Sequence, residues 1–424
     1  MPFNLEHMPG SGPRPGPRET IVMLAGLMAL NAFAIDAMIP ALPDIGRSLN
    51  VAHENDQQLV VVAYFLGFAS TQLFWGPLAD RFGRKPILAA GVALYMFFAI
   101  LCGVAGSFPL LIAGRVAMGA SAAVTRVLVV AMVRDLFQGE AMARVMSLVF
   151  MVFMVIPVLA PSIGQFILLF GSWRTIFLIL AAYGLSMFVW SWIRLPETLH
   201  PEYRRSLNLK EIVGAIGATV KEPLSRGYTL ALAVTFGALV AYISSIQQIV
   251  AEAFGKPEIL GLVFGAIAAP MALASWTNAK VVGRFGLRRV GHIASVAFVI
   301  VTLTHLLVGV TSHESLVSFV IFQSMTMVCF SFASSNLSTL AMDRMAAIAG
   351  TASSVQGVVG TIGAAIIGYA IGQAFNGTVM PFLWGMAACA IAGLTLVFLT
   401  EPKRLFAGPS AVGEQLEPHA AAEA

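Results

Sequence analysis

Long apolar stretches broken by short polar ones recur from residue 20 to residue 400. A helix needs about 20 apolar residues to cross a bilayer. Twelve such runs can be placed, roughly 20–42, 56–79, 86–106, 109–134, 143–168, 173–194, 227–253, 258–281, 288–310, 315–342, 349–374 and 378–400. The pattern is six spans, a polar gap, and six more. The gap, residues 195–226, carries Arg204, Arg205, Lys210, Lys221 and Arg226, and reads as a linker between two six-helix units at 19–194 and 227–400. Residues 1–18, rich in Pro and Gly, read as a disordered tail, and 401–424 as a second tail. The first apolar run is of span length, so no cleavable signal peptide is expected. The fold class is all-α: a twelve-span membrane protein of two six-helix pseudo-repeats.

Charge orients the spans. Of the 25 Lys and Arg, Arg47, Arg174 and Lys256 fall on one side and Arg115 and Arg126 within a span. All the others fall on the side that holds both termini. Basic loops stay cytoplasmic, so both termini are expected inside. The most charged of these loops is Gly76–Leu88, GPLADRFGRKPIL, with Asp80, Arg81, Arg84 and Lys85. Asp80 and Arg84 are four apart and share a helical face. Gly83 permits a positive φ at the turn, and Pro86 suits the first turn of the next helix. The second half repeats it: VGRFGLRRV at 282–290 stands against ADRFGRKPI at 79–87, with Gly283 in place of Asp80. The two loops are therefore not expected to act alike.

Composition narrows the function. The chain has 424 residues, 58% hydrophobic and 11% charged, where soluble domains carry about 25% charged residues. The net charge of +4 comes from the inner loops, which speaks against a nucleic-acid partner. Cys102, Cys329 and Cys389 lie in apolar runs without paired spacing and read as small buried side chains, not disulfides or metal ligands. The chain lacks a phosphate-binding G-x-x-x-x-G-K-[ST] motif, a second His after His313-Glu314 and a Ser/His/Asp constellation. A membrane enzyme or a receptor is thus disfavoured, and no cofactor is expected.

Gly76–Leu88 resembles the signature between spans 2 and 3 of the major facilitator superfamily. Ile35–Ile45, IDAMIPALPDI, resembles the first-span pattern of its Bcr/CflA group of drug:proton antiporters. Leu111–Val124 resembles the fourth-span pattern with its buried Arg, and VLAPSIGQ at 158–165 the fifth-span pattern associated with antiport. Ala349–Gly357 also fits the group. The resemblance covers all twelve spans. It implies a monomer in a bacterial inner membrane, with a substrate site between two rocking halves. It also implies proton-driven export of a small apolar or amphiphilic compound. An uptake symporter for an organic anion or metabolite is the alternative.

Ionisable groups inside spans are costly and default to function. Asp36 and Arg115 each sit about six residues from the outer end of spans 1 and 4. They form the expected proton-coupling pair, the carboxylate charged near the cation and protonated once separated. Pro40 lacks the N–H that would bond the Asp36 carbonyl. Arg126 follows Arg115 by three turns, about 20° round and ~16 Å along the helix. It either meets a substrate anion or an acid of another span, or snorkels to the inner interface. Asn31, Phe33, Tyr64, Gln72, Gln247, Gln248, Met325 and Asn336 are the other cavity candidates, although a span amide commonly bonds another helix instead. Pro157, Pro161 and Gly164 are expected to bend span 5 as part of a gate. His305 is expected to pack. By resemblance, Gly76, Asp80, Arg81, Gly83, Arg84 and Asp135 form a cytoplasmic gate against the start of span 11.

Overall fold

The computed structural model describes residues 15–408, except 138, 201, 203, 205–208, 312–313 and 346–347. The expected tails 1–18 and 401–424 lie largely outside these residues. Helices run in the order α1 (Pro17–Asp36), α2 (Leu42–Ser48), α3 (Leu59–Phe82), α4 (Arg84–Gly103), α5 (Phe108–Leu136), α6 (Gly139–Phe170) and α7 (Trp173–Arg194). They continue with α8 (Leu209–Lys221), α9 (Pro223–Gln248), α10 (Leu260–Phe285), α11 (Leu287–Thr311), α12 (Leu316–Ala341), α13 (Ala349–Gln373) and α14 (Met380–Thr400). Eleven helical stretches among the described residues are long and apolar enough to cross a membrane. The twelfth expected span is α6, 32 residues long with Pro157 and Pro161 inside it. Its described apolar part is Ile156–Phe170.

Local chemistry sets the boundaries. Pro109 starts α5, and Ser172 and Ser315 cap α7 and α12 in capping boxes with Thr175 and Ser318. Gly83 and Gly286 end α3 and α10 at φ 104° and 82°, a region L side chains avoid. The repeat seen in the sequence is thus a repeat of backbone shape. Two details differ from expectation. Span 1 stops at Asp36 and gives way to a 3-10 turn, Ile39–Ala41, and then α2. The linker contains α8, and α9 begins at Pro223, inside the polar gap.

Packing builds two groups of six, α1 and α3–α7 in one and α9–α14 in the other. The tightest crossing is α3 on α5. A Cβ on Gly67 would strike the Val116 backbone, and one on Gly119 the Tyr64 backbone. Glycine pairs of this kind let membrane helices approach backbone to backbone. Between the groups α3 meets α13, and α6 meets α10. Below, the end of the bundle holding Pro17 and Thr400 is the terminal end, and the opposite one the far end.

Candidate functional site

The α3–α5 crossing presses a polar cluster against α1. Asn31 donates to Thr125 Oγ1 at 2.7 Å and accepts from Tyr64 Oη at 3.0 Å. Arg115 is 0% exposed. Its Nε donates to the Val60 carbonyl at 2.8 Å and its Nη1 to the Ala34 carbonyl at 3.0 Å. The Tyr64 and Phe177 rings lie 4.6 and 5.9 Å from the guanidinium. One side chain therefore ties α5 to α1 and α3 and packs on α7. The expected ion pair with Asp36 is not formed: the guanidinium holds backbone two residues before it.

Asp36 is 3% exposed, and its Oδ1 has no hydrogen-bond partner among the described residues. It is the last residue of α1, where the helix yields to the turn at Pro40. α6 closes on the same place, for a Cβ at Gly164 would strike the Ala37 carbonyl and Pro40. Pro157 and Pro161 lie in the preceding turns of α6, which stays helical through both. Across the group boundary, Tyr242 of α9 lies near Asp36. Its hydroxyl is also buried, with no hydrogen-bond partner among the described residues.

The far end is where the groups are joined. Asn55 donates to the Gln373 and Phe375 carbonyls, at 3.0 and 2.9 Å, and accepts from Gln248 Nε2 at 2.9 Å. Gln58 bonds Gln248 and donates to the Gly372 carbonyl. On the other flank Gln165 donates to the Pro257 carbonyl and accepts from the Gly261 N–H, both at 3.0 Å. Every hydrogen bond crossing the two groups among the described residues lies at this end. Gln248, expected in the cavity, is part of this seal because Asn55 and Gln58 approach it from the loop before α3. Gln247 keeps an unpartnered Oε1 beside a far-end cavity of about 780 Å³, also lined by Asp44, Glu252 and Glu258. Deeper in, Gln72 lies against Gly357 of α13, with Oε1 unpartnered.

Three other cavity candidates sit elsewhere. Phe33 packs edge-on to Tyr183 of α7, 5.7 Å between centroids, inside its own group. Met325 is 47% exposed and continues a stripe with Val317 and Ile321, also exposed. Such an apolar i, i+4 row on the outside of a sealed end faces lipid. Asn336 donates to Asn278 Oδ1 at 2.9 Å and so joins α12 to α10, the ordinary use of a span amide.

At the terminal end the predicted charge cluster forms. Arg84 pairs with Asp80 at 2.7 Å and Asp135 at 3.3 Å. Arg81 stands apart, over the Phe82 ring at 5.1 Å. Gly76 has only the Val127 side chain near the place of its missing Cβ. Sequence reading missed Glu197, which accepts from the Arg84 and Lys85 N–H groups at 2.9 and 3.2 Å. Among the described residues no hydrogen bond or ion pair joins this cluster to α13. The second half carries a counterpart without an Asp80: Arg288 pairs with Asp343 and Glu401, each at 2.9 Å. His305 packs on Phe322 as expected, and also meets Glu314, 3.6 Å away. Burial pushes the Glu314 carboxyl above the usual range, and the hydrogen bond from Ser318 opposes this.

Comparison with known proteins bears on the fold and the family. The sequence profile of the Major Facilitator Superfamily matches residues 24–368. A bicyclomycin resistance protein homolog of Haemophilus influenzae is 31% identical over 387 residues, covering 90% of this chain and 96% of its own. The multidrug resistance protein MdtL of Escherichia coli is 28% identical, covering 93% and 97%. The fold of a D-xylose-proton symporter superposes with a TM-score of 0.71 at 13% identity, over 90% of this chain and 97% of that one. That of the human organic anion transporter MFSD10 superposes with a TM-score of 0.65 at 16% identity, over 91% and 100%. The chain belongs to the Major Facilitator Superfamily, as a Bcr/CflA-type membrane transporter and not an enzyme.

Proposed function

We propose that this protein exports small apolar or amphiphilic compounds across the bacterial inner membrane in exchange for protons. The observation that carries the reading is Asp36, a buried carboxylate whose Oδ1 has no partner among the described residues, at the point where α1 bends into the far-end seal. The relatives named for bicyclomycin and multidrug resistance support the export sense. With both termini inside, the far end is the outer face, and the hydrogen bonds there hold an inward-facing arrangement. Substrate enters between the groups from the terminal end. Asp36 exchanges its proton as the groups rock, and the transmembrane proton gradient replaces any cofactor. A single chain forms the whole pathway.

Inside-out vesicles with an imposed pH gradient test this directly. Accumulation of a labelled compound when the lumen is acidic is the expected result. Accumulation only under the opposite gradient would replace export by uptake symport.

The Arg84 cluster belongs to the same cycle. In this arrangement it is satisfied within its own group, so its work comes in the other state, against α13. An Asp80→Asn variant is expected to transport several-fold more slowly with substrate affinity unchanged, as measured by uptake rate against binding. Transport at the parental rate would reduce the loop to a topology signal.

A further inference from the structure

Arg126 is the span-interior cation that the fold leaves unmatched. Arg115 is held by two carbonyls, whereas no carboxylate or carbonyl among the described residues bonds the Arg126 guanidinium. Among the described residues its one polar or aromatic contact is the Phe68 ring, 6.0 Å away, at the limit of a useful cation–π contact. Thr125 beside it is already committed to Asn31 and to the Ala122 carbonyl.

The head group does not reach for the inner interface. Arg126 lies ten residues from the terminal end of α5, about 15 Å at 1.5 Å per residue. Phe68 lies fourteen residues from the same end of α3, about 21 Å. The side chain therefore points toward the membrane centre, as the tilt of Cα–Cβ bonds toward a helix N-terminus requires. Arg126 is half-buried there and not sealed off. A guanidinium is always charged and offers a planar fork of donors that fits an oxyanion. Holding one unpaired near mid-membrane is costly, and a ligand that carries the counter-charge removes that cost.

We infer that Arg126 is the recognition point for a negatively charged oxygen group, a carboxylate, sulfonate or phosphate, on the transported compound. The substrates are then amphiphiles with an acidic head, the apolar part lying toward Phe68. This rests on the transport reading, but it concerns binding and not the direction or the driving force.

The test uses the purified full chain and three fluorescent probes that differ only in head group: naphthalenesulfonate, naphthol and trimethylnaphthylammonium. The parental protein is expected to bind the sulfonate at least about tenfold more tightly than the ammonium, the scale of one charge-assisted hydrogen bond. Arg126→Gln should remove that preference while leaving naphthol binding unchanged and the melting temperature equal or higher, since the unpaired charge is gone. Arg126→Lys, which keeps the charge without the fork, should restore part of it. A parental protein that ignores head-group charge, or an Arg126→Gln variant that still prefers the sulfonate, would overturn the inference. So would an Arg126→Gln variant that loses all three probes equally. Failure of the vesicle experiment alone would sink the export reading and leave this binding result standing.

Discussion

An Asp36→Asn variant is expected to bind substrate normally and to lose all accumulation against a gradient. Asn has the same shape and fills the same space beside Ala37, Pro40 and Gly164, so the close approach of α6 survives. What disappears is the ability to take up and release a proton. One proton exchanged across one pH unit supplies about 1.4 kcal/mol, a tenfold concentration ratio. The parental protein should approach that ratio in vesicles for each proton it couples, and the variant should settle at a ratio of one. Exchange of labelled for unlabelled substrate with no gradient should continue in the variant. Gradient-driven accumulation with unchanged pH dependence would show that another group carries the proton.

Arg115 is expected to fail differently. Its two hydrogen bonds to carbonyls are charge-assisted, worth about 1.5–3 kcal/mol each. Arg115→Ala removes both and opens a cavity between α1, α3, α5 and α7. The hydrogen bonds alone account for roughly 3–6 kcal/mol, and the cavity adds to that, before any effect on transport. Arg115→Lys keeps the charge, but one ammonium on a narrower stem cannot span Val60 and Ala34 as the fork does, so it should recover only part. Thermal unfolding of the purified variants measures this. A variant with parental melting behaviour and no transport would return Arg115 to a direct role in proton coupling.

These two residues mark how far the sequence could be read. Both stood out because a charge inside an apolar run is expensive wherever it sits. Their similar depth suggested a pair, but depth along a helix does not tell which neighbour a long side chain reaches. Arg115 found backbone carbonyls that no pattern advertises. The spans themselves were legible from apolar run length, and the turns at Gly83 and Gly286 from the repeated Arg-Phe-Gly. Helix α8 was hidden because the basic residues of the linker masked its apolar positions. The pairing of Asn55 with Gln248 and Gln373 joins positions hundreds of residues apart. Only the assembled bundle brings them together. The placement of Phe33, Met325 and Asn336 depended on helix rotation, which the weakly amphipathic spans of a membrane bundle scarcely encode.

The hydrogen bonds of the far-end seal are made by uncharged groups. Asn55, Gln58, Gln165, Gln248 and Gln373 bond one another and backbone groups, and among the described residues no ion pair crosses there. Amides do not titrate, and salt does not screen them as it screens exposed charges. The hydrogen bonds of this lock therefore do not depend on the ionic strength or acidity of the medium.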